Sequence, residues 1–150
     1  MEMHETATLD LPITKVWSSL NDPSVLKMCV PGCEDIQVVD ANTYTAKATI
    51  KVGFISSKFN NIQVKKLKAV ENQVLAFEMT GEDQNKIGSF KQNLEITMKE
   101  VSGSTPQTEI AINASVDLKG KFATLGKRIV EWKAKKVTEE FVENLRKIRT

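Results

Sequence analysis

Chemistry in this chain could come from two cysteines, one histidine and a few carboxyl, phenol and amide groups, so their spacing comes first. Cys29 and Cys33 bracket Val30-Pro31-Gly32 in the stretch CVPGCED, residues 29–35. Two thiolates cannot complete a four-ligand zinc site, and His4, the single histidine, is distant in sequence. Three residues separate the cysteines, not the two of a thioredoxin-type motif. The pair therefore reads as structural, packed at a turn, and neither a metal nor a cofactor is expected. No set of nucleophile, base and orienting group can be drawn around one histidine on the polar side of a strand. The remaining polar candidates for an interior are Glu5, Tyr44, Glu78 and Gln92. Glu78 falls on the parity opposite Phe77 and Met79 and reads as solvent-facing. Tyr44 and Gln92 share apolar parities, where such groups more often satisfy a hydrogen bond than perform catalysis.

The elements that must position these groups follow from hydrophobic period. Met3, Ala7, Leu9 and Leu11 alternate with His4, Thr6, Thr8 and Asp10, which predicts a half-buried strand, with Glu5 on its apolar side. Pro12 ends it, and Ile13, Val16, Trp17 and Leu20 keep the spacing of one helix face. Asn21-Asp22-Pro23 then reads as a cap with proline at the first helical position, opening a second short helix over about 23–28. Pro31-Gly32 turns the chain into the next strand.

From residue 34 to 118 alternation predicts six strands in series. Tyr44, Ala46, Ala48, Ile50 and Val52 share a side, as do Leu75, Phe77 and Met79, and Phe90, Gln92, Leu94, Ile96 and Met98. Leu67 leaves the parity of Ile62 and Val64, which places a bulge near Lys65-Lys66. From about 121 to 148 the period lengthens, and Phe122, Leu125, Ile129, Trp132, Val137, Phe141, Leu145 and Ile148 predict one stripe of a long C-terminal helix. Gly126 marks a bend or a close contact within it. An antiparallel sheet with one wet face needs apolar cover on the other, and only this helix is long enough. The expected fold is α+β: a seven-stranded curved antiparallel sheet, two short helices after strand 1, wrapped around the C-terminal helix, as a single domain over residues 1–150.

Charge is divided along the chain. Residues 1–118 carry 11 Lys/Arg and 15 Asp/Glu, whereas residues 119–150 carry 10 and 4. The basic end suits an acidic protein or an anionic membrane. Lys65, Lys66 and Lys68 with Lys127, Arg128, Lys133, Lys135 and Lys136 could also meet nucleic acid, but without aromatic interleaving or a recognition helix such a partner is not expected. No apolar run approaches a membrane span and the start lacks a signal-peptide pattern, so a cytoplasmic protein is expected.

Three stretches carry a resemblance: KVWSSLNDPSVLKMCVPGCEDI (15–36), KATIKVGFISSKF (47–59) and KGKFATLGKRIVE (119–131). Val16, Trp17, Asn21, Asp22, Pro23, Leu26, Pro31, Gly32, Cys33 and Glu34 match a pattern that resembles the carbon monoxide dehydrogenase G-subunit family, within the START-like, helix-grip SRPBCC superfamily. The resemblance implies a non-catalytic accessory protein of molybdenum-hydroxylase-type dehydrogenases, tied to their recruitment to the cytoplasmic membrane. It also implies a cavity for a lipophilic small molecule between sheet and long helix. The expected lining is Trp17, Leu26, Tyr44, Ala46, Phe77, Met79, Phe90, Gln92, Phe122, Leu125, Ile129 and Trp132. Members with a membrane role often end in an apolar anchor, whereas this sequence ends in Arg146-Lys147-Ile148-Arg149-Thr150, so peripheral contact is expected instead. The connector Gly81–Phe90 is more polar than the family's, and Glu71-Asn72 stands where a proline turn is usual. The alternative reading is a polyketide cyclase/aromatase-like or hydrolase-like enzyme of the same fold.

Overall fold

The computed structural model describes residues 1–148; Arg149 and Thr150, the end of the basic segment, lie outside the described residues. Chain order is β1 (Glu2–Leu9), α1 (Ile13–Leu20), α2 (Pro23–Cys29), β2 (Cys33–Asp40), β3 (Thr43–Val52), β4 (Ile55–Val70), β5 (Val74–Glu82), β6 (Gly88–Val101), β7 (Gln107–Gly120), a 3-10 turn (Lys121–Thr124) and α3 (Lys127–Arg146). The seven strands form one sheet in the order β1-β7-β6-β5-β4-β3-β2, antiparallel throughout. Consecutive strands from β2 to β7 are hairpin neighbours, as short polar connectors require. β1 joins the far edge beside β7.

Alternation decides which side of each strand is covered. Leu9, Tyr44, Ala48, Phe59, Ile62, Leu75, Phe77, Ile96, Met98, Ile110 and Ile112 are buried on the inner face. Two clusters fill that face. One packs α1, α2 and the C-terminal half of α3 onto the sheet through Val16, Leu20, Leu75, Ile96, Ile110, Val142 and Leu145. The other gathers Ala48, Ile55, Phe59, Ile62, Phe122 and Leu125 at the opposite end. There the Phe59 ring meets Phe90 edge-on, centroids 5.3 Å apart, and Phe122 at 5.8 Å.

Local chemistry sets the corners. The Asp22 carboxylate accepts from the Ser24 backbone N–H at 2.9 Å and hydroxyl at 2.7 Å, with Pro23 in the first turn of α2. Those hydrogen bonds, the Ser24 side chain foremost, hold its carboxyl below the usual aspartate range. The bulge in β4 falls between Lys66 and Lys68, so Leu67 is the extra residue and points away from the core. A second irregularity, opposite Ala46 and Ala48, bends β4 near Asn60-Asn61.

The C-terminal stripe differs from expectation in two ways. Gly126, with φ of 87°, ends the 3-10 turn and precedes α3, so the segment is two helices with a corner, not one. The predicted stripe is also out of phase. At about 100° per residue, the nine residues from Trp132 to Phe141 turn the helix roughly 180°, so both cannot face the sheet. The covered face of α3 carries Val130, Ala134, Thr138, Phe141, Val142 and Leu145, whereas Ile129 and Trp132 are 41% and 62% exposed.

Candidate functional site

Sheet register aligns one inward row across five strands. Tyr44 on β3 pairs with Val64 on β4, Val64 with Met79 on β5, Met79 with Gln92 on β6, and Gln92 with Val116 on β7. Directly opposed residues of antiparallel strands point the same way, so the row forms a continuous strip on the face beneath α3. Apart from buried Tyr44, the strip is less covered than the core on the same face. Val64, Met79, Gln92 and Val116 are half-buried, and so are Ala46, Phe90, Leu94 and Leu118 beside them. On the same strands Leu75, Phe77, Ile96, Ile110 and Ile112 are buried. α3 approaches within 8 Å, Cα to Cα, of β1, α2 and β3, near the two margins of the grip.

The row is apolar but for the Gln92 amide and the Tyr44 hydroxyl at its end. Gln92 makes no side-chain hydrogen bond among the described residues, and neither its amide nor the Tyr44 hydroxyl is sealed from solvent without a partner. Tyr44 is only 5% exposed.

A second polar group lies next to this row. Lys66 pairs with buried Phe77 and therefore projects inward. Its ammonium donates to Asn21 Oδ1 at 2.9 Å and stands 5.7 Å from the centroid of the Tyr44 ring. Asn21 is held in turn by its own amide, which donates to the Trp17 carbonyl at 2.9 Å. A signal for an inward Lys66 exists in the sequence: it shares the parity of Ile62 and Val64, and only the bulge after it hides the pattern.

The other expected lining residues divide by element. Trp17 on α1 and Leu26 on α2 are half-buried against the first core cluster. Ala46, Met79 and Phe90 border the second, to which Phe122 and Leu125 belong as buried members. Phe77 is buried under the first. Ile129 leans on the β3–β4 turn, where a Cβ placed at Gly53 would stand 3.7 Å from its Cγ2. Trp132 faces outward with the Lys136 ammonium 5.5 Å from its ring centroid. These two do not join the inward row.

Groups considered for catalysis are dispersed. Glu5 pairs with Ile112 on β7, and Tyr44 is three strands from Gln92, roughly 14 Å at ordinary strand spacing. Glu78 is on the outer face with the Lys91 ammonium 4.0 Å away. His4 Nδ1 meets Asn113 Oδ1, also outside. Cys29 is buried and Cys33 half-buried, both free. Burial pushes both thiols above the ordinary value, which suppresses the reactive thiolate. Among the described residues no three His, Cys, Asp or Glu side chains are grouped to hold a metal. Two open grooves, about 580 and 470 Å³, run along the outer face and are lined by residues including His4, Glu95 and Asn113 in one and Gln63, Lys91 and Asp117 in the other.

A family model for the G subunit of carbon monoxide dehydrogenase (CoxG) matches residues 7–148. The chain belongs to that family. No curated protein sequence matches it. Among solved structures, a conserved protein from Geobacillus kaustophilus superposes with TM-score 0.84 at 22% identity, covering 98% of this chain and 93% of that one. A START superfamily protein from Mycobacterium smegmatis gives 0.67 at 13%, covering 97% and 94%. The Zhui aromatase/cyclase from Streptomyces sp. R1128 gives 0.66 at 13%, covering 100% and 96%. At these identities the superpositions establish the helix-grip fold of this CoxG-family chain. No helix among the described residues is long and apolar enough to cross a membrane.

Proposed function

We propose that this CoxG-family protein is a non-catalytic accessory protein that holds a lipophilic small molecule between its sheet and α3. In this reading it docks onto a molybdenum-hydroxylase-type dehydrogenase or the inner face of the cytoplasmic membrane. The observation that carries the reading is the half-buried inward row Val64, Met79, Gln92 and Val116, which with half-buried Phe90, Leu94 and Leu118 beside it leaves an incompletely covered apolar strip on the same face as the buried core. Apolar surface left accessible inside the grip forgoes roughly 25 cal/mol per Å², which a lipophilic occupant would recover. Family membership over residues 7–148 supports the accessory role. An aromatase/cyclase-type enzyme would need Glu5, Tyr44 and Gln92 to converge on one reacting atom, and they stand on separate strands.

Native mass spectrometry of protein purified without detergent tests the carrier. The expected result is a mass excess of a few hundred daltons that organic extraction removes. A chain at its bare mass, together with no uptake of any added lipophile, would sink it.

A further inference from the structure

We infer that the ligand of this face is an anionic amphiphile, its negatively charged oxygen held by Lys66 and Tyr44 and its apolar body lying along Val64, Met79 and Val116. The inference rests on the carrier reading and adds the chemistry of one end of the ligand. Lys66 is half-buried on the inner face, yet the acceptor it has found is a neutral amide oxygen, that of Asn21 at 2.9 Å. None of the four ion pairs among the described residues includes it. An ammonium carries three protons, so after Asn21 it keeps donors to spare. Withdrawing a cation from water without a counter-charge is costly, and a carboxylate or similar anion would offset that cost with a charge-assisted hydrogen bond.

The neighbouring groups favour an acceptor as well. The Tyr44 ring lies beside the ammonium, and its hydroxyl has no hydrogen-bond partner among the described residues and is not completely sealed from solvent. Asn21 has its oxygen occupied by Lys66 and its amide by the Trp17 carbonyl, so it fixes the lysine instead of competing for the ligand. Tyr44 pairs directly with Val64, the first apolar member of the row, which makes the charged corner continuous with the apolar strip. A ligand that presented a cation here would meet Lys66 head on.

Isothermal titration with three chains of equal length, dodecanoate, dodecanol and dodecylammonium, below their micelle concentrations, tests this. Dodecanoate should bind roughly tenfold or more tighter than dodecylammonium, the scale of one hydrogen bond to a charged group. Lys66→Met should erase that preference, Lys66→Arg should retain it, and Tyr44→Phe, which keeps the ring, should lose part of it. Thermal melting of each variant establishes that it is folded. Equal binding of the three chains, or an anion preference that survives in Lys66→Met, overturns the inference and leaves the carrier standing. No binding by any of them overturns the inference, and only a bare native mass beside it overturns the carrier as well.

Discussion

At the scale of the residue, two glycines with positive φ have different reasons to be there. Gly32, at 80°, closes the turn after α2, and a Cβ on it would stand 2.4 Å from the Thr49 carbonyl oxygen, which is backbone and cannot move aside. The Gly32 carbonyl itself accepts from the Thr49 N–H at 3.0 Å, so the turn is tied to β3 at that point. Gly126, at 87°, has open space where its Cβ would be. Gly32→Ala therefore combines dihedral strain with a clash and should cost about 3 kcal/mol or more, whereas Gly126→Ala should cost only the strain, about 1–2 kcal/mol. Urea unfolding of the two variants checks this; equal losses would mean the Thr49 contact carries no weight. The Pro31-Gly32 pair is legible in sequence as a turn. Which carbonyl it abuts is not, because that contact joins residues far apart in the chain.

At the scale of the element, α3 has two apolar faces with different uses. One runs through Phe141, Val142 and Leu145 into the core; the other shows Ile129 and Trp132 to solvent. Leu145 is fully buried, so Leu145→Ala should cost about 2–5 kcal/mol through the cavity it leaves, while Trp132→Ala should change stability by less than about 0.5 kcal/mol. Denaturant midpoints at constant slope measure both, and a large loss from Trp132→Ala would show that this ring packs in solution. The contrast explains what sequence does not reveal here. Strands are legible because a period of two admits only two sides, and Leu67 breaks it at the bulge. A helix with apolar residues on two sides offers no such choice, so large side chains at 129 and 132 draw the stripe away from its covered face. The inward row is likewise readable strand by strand through parity, but the alignment of Val64, Met79, Gln92 and Val116 requires the register of the strands.

At the scale of the whole molecule, the exposed face of α3 belongs to one end of the fold. The β3–β4 turn, the β5–β6 turn and the corner before α3 all lie at that end, because β3, β5 and β7 run the same way. Phe54, 88% exposed, tips the first turn, with Ile87 on the second and Ile129 and Trp132 nearby on the helix. The strand ends and turns place Lys51, Lys58, Lys86, Lys119, Lys121, Lys127 and Arg128 at the same end, where they outnumber Glu82, Asp83, Asp117 and Glu131, the last of which pairs with Lys127 at 3.6 Å. Apolar tips at an end with surplus cations match a bilayer surface with anionic headgroups, where each Lys or Arg contributes about 1 kcal/mol and the rings enter the interface. Vesicles of phosphatidylglycerol and phosphatidylcholine should therefore sediment the protein, and phosphatidylcholine alone should not. Raising salt to about 1 M, which shortens the screening length to about 3 Å, should release it. Phe54→Ser and Trp132→Ser should each weaken binding without altering its salt dependence, since they remove insertion and not charge. Replacing Lys127 and Arg128 by Gln should flatten the salt dependence instead. Substituting Lys133, Lys135 and Lys136 by Gln separates the helix from the turns: loss there with no effect at Phe54 would put the contact along α3. Full insensitivity to all of these changes would overturn a membrane contact at this end of the fold.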